Sequence, residues 1–246
     1  AHCDVLAKKE KKALRTFRDL ANRNKTGAGK GYAFAGLGDC LLATGKKSEA
    51  FLAYLRAVLL YPSGPERPAA AKAAAKLSDS LSLGGGQRLK GLAGSASYDD
   101  FAGKDVDAEL MRRSLRFVSA GVVQEFAPQL EKKARDKDEQ ANLAFLGADA
   151  MKVVARASND PDMLAEYETT LKRLQKKYPN HGRAALAGVD AFMAAKDRAL
   201  ALIAQAEEQT DAAKKNDLLK EGRALFATVL GPFKNSIEAM TKAVEA

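Results

Sequence analysis

Two histidines and two cysteines make up the whole complement of imidazole and thiol ligands in this chain of 246 residues. His2 and Cys3 sit side by side and offer two donors to a borderline ion, where a closed zinc site wants four. His181 stands alone in Pro179-Asn180-His181-Gly182, a turn signal, and reads as a solvated loop residue. No plausible Cys–His nucleophile pairing and no Gly-x-Ser-x-Gly elbow is present. Asp99, Asp100, Asp105, Asp107 and Glu109 crowd together but lack the spacing of a calcium loop. Asp105 or Asp107 is better read as a helix N-cap, with Glu109 in the first turn. Gly27-Ala28-Gly29-Lys30 approaches a phosphate loop, yet Asn24 stands where that motif needs Gly and Gly31 where it needs Ser or Thr. With no strand before it, the segment reads as a plain flexible turn. Gly84-Gly85-Gly86-Gln87-Arg88 fails for the same reasons. These residues define no reaction, so the chain reads as non-catalytic and no cofactor or metal is expected.

The elements that would carry any site are helices. Apolar residues recur at helical spacing almost throughout, and no useful stretch alternates like a strand. Leu6, Leu14, Phe17, Leu20 and Ala21 form one stripe of a first helix over Asp4–Arg23, closed by a loop at 24–29. A second helix is expected over Tyr32–Thr44, stopped by Gly45. The third begins at Ser48 as N-cap and ends at Tyr61-Pro62. An Ala-rich helix follows Pro68 and runs to about Leu81. Residues 82–104 are rich in Gly and Ser and read as a linker or irregular insertion. Helical signal returns at Asp105 and is interrupted at Pro128. Further helices are expected over Asn142–Ala157, after Asn159-Asp160-Pro161, and over Arg183–Lys196, Ala199–Ala213 and Leu218–Leu230, with a last one after Pro232. The expected organisation is thus an N-terminal helical part at 1–81, an irregular segment at 82–104 and a C-terminal helical part at 105–246.

If residues 4–23 and 32–44 form an antiparallel hairpin, Cys40 faces Arg15. Cys3 is then about 12 residues, or ~18 Å, away at 1.5 Å per residue. A disulfide needs Cα atoms within ~7 Å, so both cysteines are expected as thiols, with Cys40 a small core residue.

One hairpin is more legible than the rest. Phe34, Leu37-Gly38, Leu41, Gly45, Ala50, Tyr54, Ala57 and Pro62 recur at a spacing that resembles the tetratricopeptide repeat family. Gly38 and Ala50 are small where the two helices would cross. Leu37, Leu41 and Tyr54 fill the space between them, and Pro62 breaks the second helix. Weaker echoes occur at Leu146-Gly147, at Tyr167, Leu171, Leu174 and Pro179, and at Ala184, Ala187-Gly188 and Ala191. The resemblance implies an all-α fold of helical hairpins stacked as an α-solenoid. It also implies a concave groove, lined by the first helix of each hairpin, that holds a partner protein or peptide. On the clear unit the groove-facing positions would be Tyr32, Ala35, Asp39, Leu42 and Ala43. Members that clamp a C-terminal carboxylate use Lys and Asn there; Ala35 and Asp39 depart from that pattern.

Charge supplies a second reading. Residues 1–120 hold 21 Lys/Arg against 12 Asp/Glu, whereas residues 121–246 hold 19 of each, so the whole net charge of +9 lies in the first half. Lys8, Lys11, Lys12, Arg15 and Arg18 fall on the outer side of the first helix and could meet an acidic protein, an anionic membrane or a nucleic acid. Nucleic acid is the least favoured, because Phe17 is the one aromatic nearby and the periodicity buries it. A helical enzyme is a third class, kept open by residues 82–135, which follow no repeat. No apolar run reaches the roughly 20 residues of a membrane span. A start at Ala1 rather than Met fits loss of a leader, so cytoplasmic and exported (periplasmic) locations both stay open, as does the oligomeric state.

Overall fold

Alanine recurs throughout the interior: Ala13, Ala33, Ala50, Ala71, Ala74 and Ala75 are fully buried. Small side chains at a contact shorten the distance between helix axes, and alanine has the highest helix propensity, so one residue type both makes the helices and lets them pack. The computed structural model describes residues 10–24, 26–94 and 99–245, with side chains for 11–24, 26–94 and 99–229. Among these the regular structure is all helical. The chain divides into two compact units, Ala1–Arg135 and Asp136–Ala246.

In the first unit the helices are α1 (Glu10–Arg23), α2 (Gly27–Ala43), α3 (Lys47–Leu55), α4 (Arg67–Ser80), α5 (Gly86–Leu92), α6 (Val106–Phe117) and α7 (Ala120–Lys133). α3 continues into a wider π turn, Arg56–Leu60. α1 packs on α2, α2 on α3, α3 on α4, α4 on α5 and α6 on α7, the sequential stacking of an α-solenoid. α2 also touches α4, so the first helices of two consecutive hairpins lie side by side. In the second unit α8 (Lys137–Ser158), α9 (Pro161–Lys177), α10 (Arg183–Glu208) and α11 (Ala212–Glu245) follow the same order of contacts. Their core joins Phe145 and Ala148 of α8, Tyr167, Leu171 and Leu174 of α9, and Ala187, Ala191 and Ala194 of α10.

Several expected boundaries are corrected. α2 begins at Gly27 rather than Tyr32, so Gly27-Ala28-Gly29-Lys30 is a helical turn and not a flexible one. Thr26 is extended and its hydroxyl accepts the Gly29 N–H at 3.3 Å, while Asn24 Nδ2 donates to the Gly29 carbonyl at 3.2 Å. This capping outweighs the poor helix propensity of the glycines. Ser48 lies inside α3; the N-cap position is Lys46, with no side-chain bond. Gly45 does end α2, with φ of 77°, and its N–H and that of Lys46 close on the Leu42 and Leu41 carbonyls. Pro128 lies within α7 rather than interrupting it. It is on the exposed side, where water can take the carbonyl that a proline leaves unpaired.

The 82–104 segment is not wholly irregular. It contains α5, whose Leu89 and Leu92 are buried, and its first residues are pinned. Ser78 Oγ donates to the Gly84 carbonyl at 2.5 Å and Ser119 Oγ to the Leu83 carbonyl at 2.8 Å. Residues 106–133, expected with the C-terminal part, belong to the first unit. Arg56 pairs with Asp107 at 2.5 Å. Arg113 donates to the Leu59 carbonyl at 2.6 Å, and the Phe101 N–H to the Leu60 carbonyl at 2.7 Å. The helix ends at Leu60, where the last carbonyls have no intrahelical partner, and α6 and the segment before it are fastened to them. In the second unit α10 and α11 replace the four shorter helices expected after Arg183. Asp197 and Arg198 do not break α10, because they reach across, half-buried, to Arg156 of α8 and Glu221 of α11 while Ala194, Ala199 and Leu202 keep the buried stripe.

Candidate functional site

Tyr32, Ala35, Gly36 and Asp39 share one face of α2, as residues three and four apart must. They line a recess of about 160 Å³ together with Tyr54 of α3 and with Glu66, Ala69 and Ala70 at the start of α4. The recess therefore lies between the first helices of two consecutive hairpins. Among the described residues no Lys or Arg lines it. It is about half the smallest small-molecule pocket, roughly 300 Å³. One long side chain suits that volume better than a cofactor.

Its floor is set by two glycines. A Cβ on Gly38 would stand 2.6 Å from the Tyr54 ring, and one on Gly36 would stand 2.2 Å from Phe17 of α1. Tyr54 is thereby laid against α2, 2% exposed, with its hydroxyl donating to Asp39 Oδ1 at 2.7 Å. Burial first, and then that hydrogen bond, push the Tyr54 phenol well above its ordinary value of 10.0, so it stays a donor. Phe17 in turn backs the Tyr32 ring, with centroids 5.9 Å apart. Tyr32 stands at the rim, 38% exposed.

Glu66 occupies the N-cap position of α4 but makes no capping bond. Its Oε2 is shut off from solvent and has no hydrogen-bond partner among the described residues. A buried acceptor left unpaired is costly and asks for a reason. The nearest cation in sequence, Arg67, is buried and outside the lining.

Of the five groove positions, Tyr32, Ala35 and Asp39 meet in the recess, whereas Leu42 and Ala43 are exposed on the last turn of α2 and do not line it. Tyr54, Glu66, Ala69 and Ala70 were missing from the expected site. The signal for the last three was the Pro62–Pro68 turn, which starts a new first helix beside the old one. Lys11, Lys12, Arg15 and Arg18 are exposed along α1 opposite buried Ala13, Phe17 and Ala21; Lys8, like Cys3, His2 and Leu6, lies outside the described residues. Cys40 is a fully buried thiol in the core.

The other chemical candidates are engaged structurally. Asp100 accepts from the Ser63 N–H at 3.1 Å and from its hydroxyl. Its carboxylate crowds Gly27, where a Cβ would clash at 1.7 Å, so the first turn of α2 already faces a negative charge. Asp107 pairs with Arg56, and Glu109 with Arg112 and Arg113. Asp105 takes the N-cap position of α6 without a side-chain bond. His181 is not simply solvated: its ring stacks on Phe145 at 5.2 Å, and Nδ1 accepts the Arg183 N–H at 3.3 Å. Among the described residues no three His, Cys, Asp or Glu converge as metal ligands, and no helix is long and apolar enough to cross a membrane.

In the second unit, Asp149, Lys152 and Arg156 of α8 pair with Arg183, Asp190 and Asp197 of α10 at 2.6, 2.6 and 2.9 Å. Order along the two helices is the same, so α8 and α10 run in one sense, as first helices of successive hairpins do.

Comparison of the chain with protein-family models, with curated proteins and with solved structures finds no match.

Proposed function

We propose that the chain is a non-catalytic scaffold of tetratricopeptide-like helical hairpins that binds a protein or peptide in the groove between its first helices. The observation that carries this reading is the recess itself. Three residues named as groove-facing from the hairpin pattern, Tyr32, Ala35 and Asp39, line it together with the next first helix. Binding would need little chemistry: a preformed surface, an aromatic at the rim and a pocket for one anchor. The test is selection of displayed random peptides against the full chain, counter-screened on Ala69→Arg. Ala69 is exposed and lines the mouth, so the long side chain fills the recess without entering the core. Enriched peptides should lose at least tenfold in affinity for the variant. No enrichment, or equal binding to both proteins, refutes the reading.

A second reading attaches an anionic partner to α1, supported by the exposure of Lys11, Lys12, Arg15 and Arg18 on one face. Binding there would weaken steeply as salt rises.

A further inference from the structure

We infer that the α2–α4 recess is a pocket for one basic side chain, Lys or Arg, of the bound peptide; this rests on the groove reading above. Two carboxylates, Asp39 from α2 and Glu66 from the head of α4, line a cavity to which no described cation contributes. Both lie partly buried, where a carboxylate attracts a cation more strongly than it does in bulk water. Asp39 already accepts the Tyr54 hydroxyl on Oδ1, which holds its carboxylate in place. Glu66 brings a second carboxylate to the wall, with Oε2 turned into the protein and closed to solvent. A cation entering from the mouth would balance the two charges. The third element is Tyr32, whose ring is braced by Phe17 and half open to the mouth. An aromatic face beside a carboxylate pair attracts an ammonium or guanidinium through its quadrupole. The apolar wall of Ala35, Ala69 and Ala70 suits the methylene stem that Lys and Arg carry behind the charge.

An anionic anchor is disfavoured by the same residues. It would meet Asp39 and Glu66 with no cation between them. The departure from carboxylate-clamping repeats is thus a reversal of preference, from an acidic anchor to a basic one.

The experiment uses the peptides selected against the full chain and blocked by Ala69→Arg, each synthesised with its basic residue and with Gln in its place. Fluorescence anisotropy measures both forms against the wild type, Glu66→Gln and Asp39→Asn. These exchanges keep side-chain shape, and Asn can still accept from Tyr54. The Gln peptide should bind the wild type about tenfold or more weakly, the usual worth of a charged hydrogen bond. Either variant should weaken the basic peptide by a similar factor and leave the Gln peptide within about twofold, so that the two effects are coupled. The inference is overturned if the blocked peptides share no basic residue, or if the Gln form binds equally well. In both cases the groove reading survives, because Ala69→Arg still blocks. If no selected peptide is blocked, the groove reading fails and the inference with it. Should Glu66→Gln lose its helical circular dichroism, Asp39→Asn and the Gln peptide still decide the matter.

Discussion

Replacing Gly38 by alanine adds one methyl group at the place where α2 and α3 cross. In an open helix the change would stabilise by about 1 kcal/mol, the difference in helix propensity. Here the new Cβ would lie 2.6, 2.7 and 2.8 Å from three atoms of the Tyr54 ring. That ring cannot swing out cheaply, because it is 2% exposed and its hydroxyl holds Asp39 at 2.7 Å. Overpacking of this kind costs about 1–3 kcal/mol, and losing a hydrogen bond to a carboxylate costs about 1.5–3 kcal/mol more. Set against the propensity gain, Gly38→Ala should destabilise the first unit by about 1.5–5 kcal/mol. Gly91 is the control. It lies in α5, and a Cβ there would meet nothing within 4 Å, so Gly91→Ala should stabilise by up to about 1 kcal/mol. The assay is urea unfolding read by hydrogen exchange on peptides from 27–60 and 86–92, which assigns each change to the first unit. A neutral or stabilising Gly38→Ala would refute the claim that this glycine exists to seat Tyr54.

Two further predictions concern groups the hairpin pattern does not reach. Arg113→Met keeps the stem but removes bonds to the Leu59 and Asp99 carbonyls and to Glu109; it should cost about 3–6 kcal/mol and raise hydrogen exchange in 99–117, and unchanged exchange there would count against the fastening of α6. Burial pushes the Tyr54, Tyr61 and Tyr167 phenols above their ordinary 10.0, helped by Asp39, Asp100 and Asp190 respectively and opposed at Tyr61 by Arg56 and at Tyr167 by Arg156 and Arg183. Because the folded state favours the protonated phenol, its contribution is intact below pH 10 and is lost as pH rises further. Tyrosinate absorbance should then rise in two phases, the later one coinciding with loss of helix; a single phase near pH 10 with the helices intact would contradict this.

The sequence made the α2–α3 hairpin readable because the requirements there are local. Gly38, Ala50 and Tyr54 meet through one tight turn, and their sizes alone say which atoms must pass close. Helix identity was legible for the same reason, since an alanine-rich stripe at 3.6-residue spacing has one use. Ends and partners were harder. Thr26 as a cap, rather than the glycines after it, decides where α2 starts. Asp197 and Arg198 look like breakers until Arg156 and Glu221 are seen to receive them. The attachment of α6 depends on Arg56, Arg113 and the carbonyls of a π turn, contacts that span more than 50 residues and leave no periodic trace. Half the recess was hidden likewise: Glu66 reads as a turn residue until α4 is set beside α2.

The two functional readings respond to salt in different ways, and the charge of the first unit supplies the reason. Residues 1–135 hold 24 Lys/Arg against 14 Asp/Glu, a net of +10, while residues 136–246 hold 16 against 17. That field attracts an anion to α1 at long range, where screening over a Debye length of about 8–10 Å removes it. A peptide with one basic anchor meets the opposite balance. The field repels it at a distance, and Asp39 and Glu66 attract it at close range in a partly buried site that salt screens much less. Added salt weakens both terms, so they offset one another. Raising ionic strength from about 0.01 to 0.15 M shortens the Debye length from about 30 to 8 Å. Over that range an anionic ligand on α1 should lose most of its affinity, whereas a basic-anchor peptide should change by less than about threefold. A peptide of many basic residues should bind worse than one with a single anchor. If a selected basic peptide instead loses affinity as steeply as an anion, the close-range carboxylates dominate the long-range field, and the proposed balance between them is wrong.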